Sequence, residues 1–189
     1  MNPQPAVFLD RDGTIIEDLH YPREADRVRL CVNAIPGLKL FQEKGYLLFV
    51  ISNQSGVGRG IIQDHEFKAV HERCYALLQA ENIQVAEFEY CFHLPADECK
   101  CRKPEIGLIP KSFGGVPLDW AKSFTVGDKA CDLELGINIG ATPYLVLTGK
   151  GEKSQETLAA SGKLTSYRIA ADLLAVAESI PALSSPLQG

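Results

Sequence analysis

An α/β fold, a Rossmann-like doubly wound parallel sheet with helices on both faces, is what this sequence predicts. Three observations carry that expectation. Short apolar runs alternate with stretches of helical periodicity along the chain. The run Tyr46-Leu47-Leu48-Phe49-Val50-Ile51 is continuously apolar, as strands covered on both faces are. Polar residues stand directly after such runs, at Asp10, Ser52 and Asp128, where open α/β sheets collect their chemistry. The β-α alternation implies parallel strands joined by right-handed crossovers.

The first strand is expected over 6–9, and an acidic turn follows it with no gap. A helix near 34–43 stops at Gly45, a C-terminal cap signal. The second strand covers 46–51. Residues 64–81 form the clearest helix. Asp64 suits its N-cap, and Phe67, Val70, Cys74, Leu77 and Leu78 recur at helical spacing. Further strands are expected over 86–91, 123–127 and 143–147, with helices near 129–139 and 167–179. One domain spans 1–180, and 181–189 reads as a flexible tail. Ser52 and Lys103 are separated by one helix, one strand and a cysteine-bearing loop, which leaves no room for a large cap domain.

The composition narrows the class. A chain of 189 residues suits one domain with a sizeable core. With 46% hydrophobic and 23% charged residues it reads as soluble and globular. A net charge of −5 argues against a broad nucleic-acid footprint, so no nucleic-acid partner is expected. An anionic substrate would need local cations or a metal. Residues 1–5 lack a signal-peptide pattern. No apolar run approaches the ~18 residues of a membrane span. A cytoplasmic monomer without a membrane partner is expected. The six cysteines read as metal ligands or buried thiols rather than disulfides.

Asp10-Arg11-Asp12-Gly13-Thr14 places two carboxylates two residues apart at a strand end. One can attack an electrophile while the other moves a proton, although an acidic turn is also ordinary loop chemistry. Three more segments follow: Ser52-Asn53-Gln54-Ser55-Gly56, Lys103 within Cys101-Arg102-Lys103-Pro104, and Gly127-Asp128-Lys129. Taken singly, Asp128 reads as a helix cap, Lys103 as a solvated lysine and Ser52-Asn53 as turn residues. Asp132, one helical turn further, is open between orienting the Lys129 or Lys103 ammonium, orienting a metal-bound water and facing solvent.

Together and in this order, the four segments resemble the motifs of the haloacid dehalogenase-like phosphohydrolases, over roughly residues 6–150. The resemblance implies Mg²⁺ held by the Asp10 carboxylate, the Asp12 backbone carbonyl and Asp128. Hard oxygen ligands suit that ion, and a cation offsets repulsion between an anionic nucleophile and a phosphate. It also implies Asp10 as nucleophile, forming an aspartyl-phosphate, and Asp12 as proton donor and acceptor. Ser52 and Lys103 would stabilise the phosphoryl oxygens.

Cys91, His93, Cys99 and Cys101 form a C-x-H-x5-C-x-C pattern in the loop 91–104. Three thiolates and an imidazole match a closed, tetrahedral structural Zn²⁺ site. Binding of ~10–16 kcal/mol, the range for zinc-finger peptides, would order such a segment. Zinc would present Arg102 and Lys103 beside the active site. Cys31, Cys74 and Cys131 are isolated, and Cys74 falls on an apolar helix face.

The loop resembles that of zinc-bearing phosphatases of the same superfamily, which include heptose bisphosphate and histidinol-phosphate phosphatases. Ser52 to Gly60 and Leu147-Thr148-Gly149-Lys150 are more similar to the former, and Leu94 to Cys99 to the latter. Phe92 stands where the heptose enzymes usually carry proline. From the heptose enzymes the resemblance implies a sugar site lined by Asp18, Leu19, His20 and Tyr21 and by Ser52, Asn53, Gln54 and Ser55, with Arg102 recognising substrate. A bisphosphate benefits from further cations, for which Arg59, Arg102 and Lys129 are candidates. The expected function is hydrolysis of a small phosphorylated metabolite, the 7-phosphate of a heptose bisphosphate. Histidinol-phosphate hydrolysis and a non-catalytic phosphate-binding role are the alternatives.

Overall fold

Every residue of the first strand, β1 (Ala6–Leu9), is buried, and its side chains alternate between two cores. Val7 and Leu9 enter one cluster, Ala6 and Phe8 the other. The next strand, β2 (Leu47–Asn53), repeats the division, with Leu48 and Val50 on one side and Phe49 and Ile51 on the other. A period of two with both faces covered is why these runs are continuously apolar.

The computed structural model describes residues 2–162 and 164–183. Between the first two strands lies α1 (Ala34–Glu43). After β2 come the single turn α2 (Ser55–Gly58), the long α3 (Asp64–Ala80) and β3 (Glu87–Cys91). A small hairpin follows, β4 (Ser112–Phe113) with β5 (Val116–Pro117). The chain continues through β6 (Phe124–Gly127), α4 (Ala130–Ile139) and β7 (Thr142–Val146). It closes with α5 (Gly151–Ser161), β8 (Arg168–Ala170) and α6 (Leu173–Ser179).

Six parallel strands form the main sheet, in the order β3-β2-β1-β6-β7-β8. The chain leaves β1 towards β3 and later returns to β6 on the opposite side. The reversal between β1 and β6 opens a crevice at the carboxyl ends of the strands. Segment 10–33, beside that crevice, carries a one-turn 3₁₀ helix at Ala25–Arg27 and two isolated bridges, Asp12 with Ile16 and Ile16 with Leu30. That is far too little for a cap domain.

The five expected strands lie within two residues of their observed bounds. The helix expected over 167–179 is instead two elements. Residues 168–170 pair with β7, and the Asp172 carboxylate accepts from Ala175 N at 3.0 Å, starting α6 only at Leu173. Asp64 is not the cap of α3. That position belongs to Gln63, whose N–H donates to the Glu66 side chain at 2.8 Å, a capping box. Gly45 does close α1, at φ +91°, a conformation only glycine adopts without strain. The segment expected as a tail from 181 begins docked. Tyr46 OH donates to Pro181 O at 3.1 Å, and Leu183 N to Lys44 O at 2.9 Å. Residues 184–189 of that expected tail lie outside the described residues. No helix among the described residues is long and apolar enough to cross a membrane.

Candidate active site

The site is built from strand ends. Asp10 follows β1 and is tied to the neighbouring strand by its N–H, which donates to Val126 O at 2.9 Å. Gly13 then turns the chain at φ +86°, and a side chain there would collide with the Asp128 carboxylate. Glycine is therefore required twice, for its dihedral and for its lack of a Cβ. Asp128 follows β6 and is fully buried, so the two strands on either side of the crevice each contribute a carboxylate.

Two lysines hold these carboxylates. Lys103 is buried, and its ammonium lies 2.9 Å from Asp10 Oδ1 and 2.6 Å from Asp132 Oδ1, while also donating to Ile51 O. Its backbone is clamped by Asn53, which accepts from Lys103 N at 3.0 Å and donates to Lys103 O at 3.1 Å. The Lys129 ammonium touches three oxygens: Asp10 Oδ2 at 3.2 Å, the Asp12 carbonyl at 3.2 Å and Asp128 Oδ1 at 2.7 Å. Those are the three groups the resemblance named as metal ligands. Hard oxygens converging on one cation are a fitting donor set for Mg²⁺. Asp132 lies close enough to Asp10 and Asp128 to share a metal. Its carboxylate is occupied, however, with one oxygen on Lys103 and the other on Lys129 N at 3.1 Å.

The electrostatics follow from this packing. Burial alone would push the Asp10 carboxyl up, but the ammoniums of Lys103 and Lys129 outweigh it and hold the group below the usual range. Asp128 goes the other way, to about 6, because burial and the charges of Asp10 and Asp132 outweigh Lys129. Burial opposes the charge of Lys103, yet Asp10 and Asp132 raise its pKa and keep it an ammonium.

Asp12 is held from behind. Arg11, fully buried, reaches both Asp12 carboxylate oxygens through Nη2 at 3.0 Å, and Gln54 donates to Oδ2 at 2.5 Å. The guanidinium lies 5.8 Å from the Phe67 ring centre and 5.7 Å from that of Tyr90, within cation–π range. Gln54 also donates to Ser52 Oγ at 3.0 Å, linking the acid to the end of β2.

A cavity of about 240 Å³ opens over these groups. It is lined by the expected Asp10, Asp12, Asp18, His20, Tyr21, Ser52, Asn53, Gln54, Ser55, Arg102, Lys103 and Lys129. Leu19 and Arg59 do not line it. His20 N donates to Asp18 Oδ1 at 2.9 Å, a tight turn that leaves Leu19 on a neighbouring surface hollow. Arg59 caps the far end of α2 and is exposed. Cys131 and Lys150 line the cavity without having been expected to. Lys150 Nζ pairs with Asp18 at 3.0 Å, and its N–H donates to Asp128 Oδ2 at 2.8 Å. A lysine opening a helix after a strand was the available signal.

Beside the cavity, Cys91, His93, Cys99 and Cys101 converge. Their sulfurs are 3.3–3.7 Å apart, and His93 Nδ1 lies 3.2 Å from Cys101 Sγ. A tetrahedral zinc with Zn–S bonds near 2.3 Å separates sulfurs by about 3.8 Å, so the cluster is already close to that shape. Burial, with the neighbouring Cys101, pushes the Cys91 thiol up to about 12. Cys31 and Cys74 are buried thiols away from the cavity, and burial raises them to about 12 and about 11.

Comparison with known proteins places this geometry. The family model for polynucleotide kinase 3 phosphatase matches residues 6–157. A probable D-glycero-D-manno-heptose-1,7-bisphosphate 7-phosphatase of Thermoplasma acidophilum is 36% identical over 143 residues, covering 75% of this chain and 89% of that protein. The D-glycero-beta-D-manno-heptose-1,7-bisphosphate 7-phosphatase of Escherichia coli K12 is 34% identical over 155 residues, covering 77% and 81%. Among solved structures, the D,D-heptose 1,7-bisphosphate phosphatase of B. bronchiseptica, complexed with magnesium and phosphate, superposes with a TM-score of 0.77. It is 28% identical and covers 93% of this chain and 97% of that one. With the motifs in order on the expected sheet, and these relatives along most of its length, the chain belongs to the polynucleotide kinase 3 phosphatase family of haloacid dehalogenase-like phosphatases.

Proposed function

We propose that this chain is an Mg²⁺-dependent phosphatase that removes the 7-phosphate of D-glycero-D-manno-heptose 1,7-bisphosphate, with a structural Zn²⁺ ordering the loop that carries Lys103. The observation that carries the reading is the convergence of Asp10, the Asp12 carbonyl and Asp128 on one cation position beside Lys103. The names of the relatives supply the sugar.

In this reading Asp10 attacks phosphorus in line, forming an aspartyl-phosphate as the ester oxygen leaves. Asp12 gives that oxygen its proton, then takes one from the water that cleaves the intermediate. Ser52 and Lys103 bind the phosphoryl oxygens as charge builds on them. Mg²⁺ on Asp10, Asp12 O and Asp128 would neutralise charge between nucleophile and phosphate. The lowered pKa of Asp10 keeps the nucleophile ionised. Arg102, Lys129 and Lys150 at the cavity supply cations for a second phosphate.

The reading is tested by comparing kcat/KM for the heptose bisphosphate, histidinol phosphate and a 3′-phosphorylated oligonucleotide. Preference for the heptose bisphosphate is expected. Equal or better turnover of either competitor would reject this substrate, and no turnover of any ester with Mg²⁺ present would reject the enzyme.

A further inference from the structure

We propose that Lys129 is a resident counter-cation. Its ammonium takes up the three oxygens that a divalent metal would use, and it moves into the phosphate cavity when a metal binds them. The proposal rests on the metal-site reading above and adds a device to it.

The geometry points this way from three directions. An ammonium has three donors, and Lys129 Nζ finds three oxygens, on Asp10, Asp12 and Asp128, at 2.7–3.2 Å. A magnesium ion binds oxygens at about 2.0–2.1 Å, so the ion and the ammonium cannot share that point. The charge balance agrees. Lys103 is already committed to Asp10 Oδ1 and Asp132. Without Lys129, the carboxylates of Asp10 and Asp128 would have no cation between them. Once a doubly charged ion arrives, a third cation there is repelled.

The arm has a fixed base and somewhere to go. Lys129 caps α4, and its N–H is held by Asp132 Oδ2 at 3.1 Å. Its side chain is about one-third exposed and already borders the cavity. Metal entry would therefore deliver a cation to the place where phosphate binds. The carboxylates would keep a counter-charge throughout, and the loaded site would gain affinity for an anion. Metal loading and phosphate affinity would thus be coupled through one side chain.

Amine acylation with an N-hydroxysuccinimide acetate, followed by mass spectrometry, tests this on the whole zinc-loaded chain. A ligand that covers a site slows labelling there, but here Mg²⁺ is expected to speed labelling of Lys129 about fivefold, since it frees a hydrogen-bonded amine. Lys68, whose side chain is 75% exposed, is expected to label at the same rate with or without the metal. Calorimetry gives a second readout: Lys129→Met is expected to bind Mg²⁺ about tenfold more tightly, with no ammonium to displace. Equal or slower labelling of Lys129 with Mg²⁺, or unchanged affinity in Lys129→Met, would overturn the proposal. Asp128→Asn separates the two levels. If it binds Mg²⁺ as the wild type does, the metal-site reading itself fails, and the counter-cation with it. If it loses Mg²⁺ while wild-type Lys129 labelling stays flat, only the counter-cation fails.

Discussion

Asp132 Oδ1 lies 2.6 Å from Lys103 Nζ, closer than the 2.9 Å that separates the same ammonium from Asp10. Asp132 is therefore a positioning residue for Lys103. Both are buried, so the pair is unscreened by water. Asp132→Asn keeps the shape but removes the charge that holds Lys103. The expected result is a kcat about 10–100-fold lower, the usual cost of losing an outer orienting group, with a smaller change in KM. Steady-state kinetics checks this, and an unchanged kcat would mean that Lys103 needs no second carboxylate.

Arg11 makes the next prediction, about stability. A fully buried guanidinium is tolerable only because Asp12 takes its charge through a fork and two aromatic rings flank it. Arg11→Met leaves the Asp12 carboxylate, whose side chain is 14% exposed, without its cation. Losing one partner of a buried pair costs about 3–5 kcal/mol. Arg11→Lys restores only part of this, because an ammonium has no planar fork. Urea unfolding measures both, and a Met variant as stable as the wild type would show that the pair contributes nothing.

Much of this site was legible in the sequence because its parts sit at strand ends, and the strands announce themselves. Val7, Phe8, Leu48 and Phe49 are apolar on both faces, so Asp10 and Ser52 could be placed from order alone. The partners were legible only as alternatives. Lys103 was one of two lysines open to Asp132, and the two lie on different elements, so no local pattern chooses between them. Lys129, expected as a substrate contact, lines the cavity and also sits among carboxylates, since an unscreened negative cluster draws the nearest flexible cation. Arg11 reads as a surface charge inside an acidic motif until Phe67 and Tyr90 are brought over it. The edge strand β8 is three residues long, and its Arg168 and Ile169 are both exposed, so no alternation marks it. Helix α5 buries only Gly151 and Leu158, which leaves little apolar periodicity to detect.

Zinc should matter to catalysis through Asn53. The Asn53 side chain spends both its carbonyl and its amino group on the Lys103 backbone, so it latches the cysteine loop to the end of β2. Cys99→Ser weakens the other anchor of that loop. Elemental analysis is expected to find one tightly bound zinc per wild-type chain and less in the variant. A drop in kcat of at least about tenfold should accompany it, because Lys103 loses its placement. Zinc-free protein with full activity would show that the Asn53 latch holds the loop unaided.

His71 sets a pH dependence that can be isolated from the carboxylates. Burial, helped by the charge of Arg11 and opposed by Glu72, holds its pKa below the ordinary value of 6.5. The neutral ring also shares a 2.8 Å hydrogen bond with Tyr90 OH. In the window between the folded value and about 6.5, the unfolded chain binds more protons than the folded one. Stability therefore rises with pH there, and the His71 contribution is lost as pH falls through that window. His71→Gln removes the titration while keeping a polar side chain. On going from about pH 7.5 to about pH 5, the melting temperature of the wild type should drop relative to that of the variant below about pH 6.5. Parallel curves would mean that His71 titrates alike in the folded and unfolded chains.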